Sequence, residues 1–385
     1  MQNDECRMMN EWWRDELGKK RELNLYRTLR ALPIGVLDLA SNDYLGFARH
    51  PEVLAAACQA TQKFGAGARS SRLVSGQSEI HALLETKLAK FKNCESALVF
   101  PSGYHANLAV VTAFSRASDE IFCDKRNHAS LIDACFLASS RGAKLRFYDS
   151  LEKLTSLLQR STRQGKIIVS DAVYSMDGDL ADIPQLFNLV EEFAAILVLD
   201  DAHGTGVLGA RGTGTLEHFQ NSKLPSQNSK LIQIGTLSKA LGAQGGFVAG
   251  EKEIIEWLIN AGRSFIYTTG LSPSACGAAL QSLEIIEREP QRLARLQNVK
   301  SQLARGLSTL GFDARQQPSP IIPIIIGEAS RALELSEKLL EKNIWCPSIR
   351  PPTVPQNSSR LRVTANADLS DEDIAGALAA FAECK

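Results

Sequence analysis

Between Ala97 and Ala249 the chain repeats one unit, a short apolar run followed by a turn and then a helical pattern. The runs are Ala97-Phe100, Ile121-Cys123, Leu145-Tyr148, Ile167-Ser170, Ala195-Asp200, Leu231-Gly235 and Gly246-Ala249, and helical patterns start at Tyr104, Ser130, Leu151 and Pro184 between the first five. Strands that are apolar on both faces need cover on both faces. The pattern therefore predicts an α/β fold, a mostly parallel central sheet with helices on either side. Such sheets bind ligands outside the carboxyl ends of their strands, so the chemistry is to be sought there.

Upstream, residues 11 to 31 read as a charged amphipathic helix, a packing arm ahead of the main fold. Leu37 to Gly46 reads as a short strand entering a turn, 51 to 63 as a helix after Pro51, Gly65 to Arg72 as a small-residue loop, and Glu79 to Phe91 as a helix. A second unit begins near Pro273 with a long helix and another to about Leu310. It continues with a strand Pro320-Ile326, a helix Ser330-Lys342, the segment Ile349-Val354 and a last strand-helix pair. The expected division is an N-terminal arm and strand (1–45), a large domain (46–272) and a smaller α/β C-terminal domain (273–385).

Composition removes several classes. Lys+Arg and Asp+Glu both total 43, so no net field favours nucleic acid or an anionic membrane. No apolar run approaches the roughly 20 residues of a membrane span. Asp4, Glu5 and Arg7 charge the N-terminus where a signal peptide would be apolar. The 8 cysteines form no CxxC, as expected of reduced thiols in a cytoplasmic protein.

The sequence around Lys239, Gly235-Thr236-Leu237-Ser238-Lys239-Ala240-Leu241-Gly242, sets a lysine among small residues between two apolar runs. Desolvation lowers an amine's pKa, and a partly neutral amine can attack a carbonyl to form a Schiff base, as in a pyridoxal phosphate anchor. Taken alone, the pattern better fits a lysine capping a strand end, since Ser-Lys pairs are common. Three other stretches complement it. Asp200 ends an apolar strand where a carboxylate can hold a pyridine nitrogen protonated, and His203 follows close enough to meet a ring hydroxyl. Asp-x-x-His also suits a metal pair, but no third ligand lies nearby and the chain has only 6 histidines. Phe100 to Asn107 passes from strand through Gly103 into a helix at Tyr104, a natural phosphate seat. Arg126 to Ser130 is another strand-helix junction, where His128 either lies against an aromatic ring or caps the helix. Gly204-Thr205-Gly206-Val207-Leu208-Gly209 matches GxGxxG, but it follows Asp-Asp-Ala-His and runs into another glycine-rich loop instead of a helix, which argues against a nicotinamide site.

Ser41 to Gly46, Asp124 to Ala129, Ser175-Met176-Asp177-Gly178, Asp200 to Gly206 and Thr236-Leu237-Ser238-Lys239 resemble, in order, the motifs of the α-oxoamine synthases. These are fold-type I pyridoxal phosphate transferases that condense an amino acid with an acyl thioester and lose carbon dioxide. The resemblance runs from about residue 20 to the C-terminus. It implies that Lys239 is the Schiff-base lysine and then the base for the Cα proton. Asp200 would hold the pyridinium, His203 the ring oxygen, and His128 would stack on the ring. Gly103 and Tyr104 would hold the phosphate with Thr236, and Ser175 would lie near the ring oxygen. Thr269, or Thr268 beside it, would reach a partner subunit's phosphate in a homodimer with a shared site. Arg362 would pair with the amino acid's carboxylate, and Arg27, Asn42 and Arg350 are further substrate-binding candidates. Ile349 to Pro355 with Arg360-Leu361-Arg362 most resembles the biotin-pathway member, which implies L-alanine and a pimeloyl thioester carried by coenzyme A or acyl carrier protein. Glycine-using and serine-using relatives stay open, as does, from another class, a non-catalytic subunit that kept the fold. The latter would be marked by loss of the lysine, and Lys239 is present.

Overall fold

The computed structural model describes residues 11–220 and 230–385. Asp4, Glu5, Arg7 and Cys6 lie outside them. Helix α1 (Trp12–Glu22) is half the expected length. Asn24 takes φ 56°, and the N–H groups of Asn24 and Leu25 return to the carbonyls of Arg21 and Lys20 at 3.1 and 2.8 Å, closing the helix in a left-handed asparagine turn. Helix α1 buries none of its residues against its own chain.

Strand β1 (Leu37–Asp38) leads to α2 (Pro51–Phe64), which starts on the proline, and to α3 (Glu79–Phe91), capped reciprocally by Ser78 and His81. The main sheet then forms from β2 (Ser96–Phe100), β3 (Asp119–Asp124), β4 (Lys144–Tyr148), β5 (Gly165–Asp171), β6 (Ile196–Asp200), β7 (Leu231–Thr236) and β8 (Gly246–Gly250). Their order is β2-β8-β7-β6-β5-β3-β4. All neighbours are parallel except β8, which is antiparallel to both β2 and β7. Helices α4 (Gly103–Phe114), α5 (Ala129–Ser140), α6 (Leu151–Gln159) and α7 (Ile183–Glu192) connect the parallel strands.

Alternate residues of one strand enter different cores, which is why these strands read as continuously apolar. Ile167, Val169 and Val198 pack with Val110 of α4 and Leu131 of α5, whereas Ile168, Leu197 and Leu199 pack with Leu154 of α6 and Leu186 of α7. Each such aliphatic side chain contributes about 1.5–3 kcal/mol on burial, enough in sum to fix the strand ends that carry the polar groups.

After the four-residue α8 (Thr215–His218) and then α9 (Lys252–Ala261) and α10 (Arg263–Ile266), α11 (Pro273–Arg288) packs back onto α2 and α3. The remainder comprises α12 (Gln291–Thr309), β9 (Ile321–Gly327), α13 (Ala329–Glu341), β10 (Ile344–Trp345), β11 (Ser348–Ile349), β12 (Ser359–Thr364) and α14 (Asp371–Cys384). β11, β12 and β9 form an antiparallel sheet, and β1 pairs with β10. Thr364 N–H also donates to the carbonyl of Leu39 at 2.7 Å, which draws the Ser41–Gly46 turn alongside β12.

Candidate active site

Parallel register places Asp171 at the end of β5 directly beside Asp200 at the end of β6. Asp200 is buried and held at both oxygens, accepting from Asn107 Nδ2 at 2.7 Å and from the Ala202 amide at 2.9 Å. The same Asn107 amide donates to Ser130 Oγ at 2.8 Å, and that hydroxyl meets His128 Nδ1 at 2.6 Å. His128 also caps α5, and its backbone N–H donates to Asp171 at 2.7 Å. A continuous chain of hydrogen bonds therefore fixes Asp200 and His128 relative to one another. Burial, reinforced by Asp200, raises the Asp171 carboxyl well above its ordinary range.

Lys239 lies in the turn after β7, and its amine is pushed down to about 8. Burial is the main cause and outweighs the opposing pull of Asp200 and Asp171. His203 is buried, with Nδ1 2.6 Å from the Tyr44 hydroxyl. Burial, with Lys239 and Arg362 adding to it, holds its pKa well below the usual value, so the ring is neutral.

Arg362 is buried on β12 and oriented at several points. Nε donates to the Ser175 carbonyl at 2.6 Å, Nη1 to Thr364 Oγ1 at 3.2 Å, and Nη2 to Asn42 Oδ1 at 3.1 Å and Tyr44 OH at 3.5 Å. Arg360, the neighbouring candidate on the strand, instead pairs with Asp177. At the start of α4, Ser102 Oγ takes the His105 amide at 3.2 Å, leaving the Gly103 and Tyr104 amides without helical partners. Gly246 lies so close that a Cβ there would stand 2.5 Å from the Gly103 nitrogen. Thr236 Oγ1 donates to the Gly245 carbonyl at 2.8 Å.

A second group lies at the β11 end. Arg27 donates to Thr353 Oγ1 at 3.0 Å, and Arg350 donates to the Asn24 carbonyl. The Arg350 pKa is held below its ordinary value by partial burial and by the charge of Arg27, so the two guanidiniums are neighbours.

The model of the family "aminotransferase class I and II" matches residues 34–381. The 8-amino-7-oxononanoate synthase of Anaeromyxobacter dehalogenans is 43% identical, over 90% of this chain and 86% of that one. The chain belongs to that family, in its α-oxoamine synthase branch. The solved structure of Sphingomonas wittichii serine palmitoyltransferase superposes with a TM-score of 0.88 at 29% identity, covering 96% of both chains. Another solved structure, "SPT with PLP internal aldimine", gives 0.85 at 28% identity over 91% of this chain and 87% of that one. The fold is thus that of the fold-type I pyridoxal phosphate transferases, and the cofactor is pyridoxal 5'-phosphate. Among the described residues no helix is long and apolar enough to cross a membrane.

The site residues of this α-oxoamine synthase fit its cofactor. They offer a desolvated amine, free amides at a helix start for a phosphate, and a buried carboxylate held by two donors for the ring nitrogen. Four neighbours went unassigned in the sequence. Tyr44 links His203 to Arg362, Asn107 links Asp200 to Ser130, Asp171 supports His128, and Thr353 receives Arg27. Asp171 carried the same signal as Asp200, a carboxylate closing an apolar strand. Tyr44 and Asn107 sit inside the quoted motifs, but only the folded chain shows what they face.

One expectation is corrected. The apolar content of the stretch from Ser264 to Pro273 suggests burial of Phe265, Ile266 and Leu271 across a twofold interface, with a buried turn of one subunit as the alternative; Phe265 and Leu271 are buried within their own chain, Phe265 edge-on to Phe100 at 5.6 Å. Their apolar character is explained without a partner. Tyr267 and Thr269 beside them are exposed.

Proposed function

We propose that this α-oxoamine synthase joins L-alanine to a pimeloyl thioester, releasing carbon dioxide and the thiol carrier and leaving 8-amino-7-oxononanoate for biotin synthesis in the cytoplasm. The observation that carries this reading is the buried Arg362 guanidinium, fixed through Asn42 and Tyr44 beside the neutral His203. It is a ready-made carboxylate seat next to a desolvated lysine. The naming of the relative from Anaeromyxobacter dehalogenans supports the choice of alanine and pimeloyl groups.

When bound, pyridoxal phosphate supplies a protonated ring that accepts the electron pair left at Cα by proton loss and, later, by decarboxylation. The protein's residues do the rest. Asp200, whose carboxylate is held in place by Asn107 and Ala202, would keep the ring nitrogen protonated. His203 would donate to the ring oxygen, with Ser175 nearby, and His128 would stack on the ring. The amides of Gly103 and Tyr104, with Thr236, hold the phosphate. Arg362 would hold the alanine carboxylate, and Lys239, whose amine is held down at about 8, would take the Cα proton. Arg27 and Arg350 offer positive charge to the acyl substrate.

In this reading residues 46–272 form the cofactor-binding unit, 273–385 the unit that supplies Arg362, and 1–45 an arm. The active species is a homodimer in which the exposed Thr269, with Thr268 beside it, reaches the partner's phosphate. A product assay pairing alanine, glycine or serine with acyl thioesters of graded length tests the reaction. Alanine with the pimeloyl group should dominate, and a preference for glycine or serine would replace the assignment. Activity that falls in step with dimer dissociation on dilution is expected, and a fully active monomer would refute the shared site.

A further inference from the structure

Gly204, the first glycine of the stretch that imitates a dinucleotide fingerprint, and Gly214 beyond that stretch pack against an ion pair of the chain itself. Asp201, next to Asp200, is buried and meets Lys92, the residue after α3. The two side chains are 2% and 1% exposed, which leaves water no part in neutralising them. Lys92 Nζ donates to Asp201 Oδ2 at 2.8 Å, to the Thr213 carbonyl at 2.6 Å and to Thr205 Oγ1 at 3.3 Å, so all three of its protons are used. Asp201 also accepts from the Thr215 amide at 3.2 Å and from the Thr215 hydroxyl.

The backbone is wrapped tightly round this pair. A Cβ on Gly204 would stand 2.1 Å from Asp201 Oδ1, and one on Gly214 would stand 1.9 Å from Asp201 Oδ2 and 2.7 Å from Lys92 Nζ. Gly206, at φ +80°, packs on the residue after Lys239, where a Cβ would come within 2.6 Å of Ala240 Cβ. The turn held by Lys92 thus begins at Asp200, carries His203, and rests against the Lys239 segment.

We propose that Lys92 is a positioning residue for the reaction, its ion pair with Asp201 fixing the 201–214 turn and thereby setting Asp200 and His203 against the cofactor ring. This rests on the roles assigned above to Asp200 and His203. Removing Lys92 leaves a buried carboxylate without its cation, and the turn must rearrange or take up a proton to accommodate it. Either response displaces the residues on both sides of Asp201.

The test uses holoenzyme carrying Lys92→Met, compared with Lys300→Met. Lys300, on α12, is another buried lysine; it lines a cleft with Val207, Leu208 and Gly209 but gives its hydrogen bonds to Gln297 and the Pro318 carbonyl, not to the 201–214 turn. Both variants should lower the thermal midpoint. Lys92→Met alone should lower kcat by about tenfold to a hundredfold and displace the visible band of the bound cofactor. Its KM for alanine should stay within about twofold of the parent, because Arg362 is held chiefly by the Ser175 carbonyl, Thr364 and Asn42, outside that turn. A Lys92→Met enzyme with parental kcat and band, differing only in thermal midpoint, would overturn the proposal. Should that variant not fold, Thr215→Val, which removes one bond to Asp201, is read the same way: a smaller loss with a displaced band supports the role, and parental values refute it. A parent protein that takes up cofactor without a visible band would instead overturn the site reading itself.

Discussion

The two ends of the site are built on opposite terms. Around the cofactor position, Asp200, His203 and Arg362 are buried, and each is held by side chains from distant parts of the sequence. At the end proposed for the acyl group, Arg27 lies on an exposed segment and Arg350 is only partly buried, with single contacts to Thr353 and Asn24. A group whose protonation must be set needs a low dielectric and fixed partners, whereas one that only attracts an anion works while solvated. Mutational effects should therefore be steep at the first end and shallow at the second.

The steepest is Lys239→Ala, expected to lower kcat by about three orders of magnitude or more, since no neighbouring amine stands in the turn to replace it. Steady-state assay of the purified variant checks this, and residual activity near parental would sink the lysine's role. Arg362→Ala comes next. It should lower kcat/KM for alanine about a hundredfold, chiefly through KM, while the cofactor still binds. Arg360→Ala should do far less to alanine binding, because that guanidinium is already committed to Asp177. Equal effects would mean that the clamp is misassigned.

Tyr44→Phe removes the hydroxyl between His203 and Arg362, and about a tenfold loss in kcat/KM is expected from leaving buried groups underpaired. The shallowest changes are Arg27→Ala and Arg350→Ala, which should raise KM for the acyl thioester about threefold, as exposed charges do, and leave alanine saturation unchanged. A large effect there would show that the acyl end is as tightly built as the cofactor end.

The same contrast governs what the sequence reveals. Buried strands announce themselves, because core packing on both faces demands unbroken apolar runs, and the expected β2 to β8 differ from the observed ones by no more than two residues at either end. Asp200, which closes β6, and Lys239, in the turn just after β7, were legible for that reason. Helix α1 was overextended because Asn24 in a left-handed turn leaves no break in the apolar periodicity. Tyr44 and Arg362 are 318 residues apart, and no local pattern encodes their meeting. Phe265 shows the converse error, since an apolar residue in a loop says that it is buried but not by which chain.

The central claim is that Lys239 is the desolvated amine that captures the cofactor. The most direct test is borohydride trapping of pyridoxal phosphate on cofactor-free protein across pH, with peptide mapping. An amine near 8 is about one-tenth free base at pH 7, against roughly one part in 2,500 for an ordinary lysine near 10.4. Label should therefore fall on Lys239, with a trapping rate that rises through about pH 8 and levels off above it. Label on another lysine, or a rate still climbing steeply at pH 10, would contradict it.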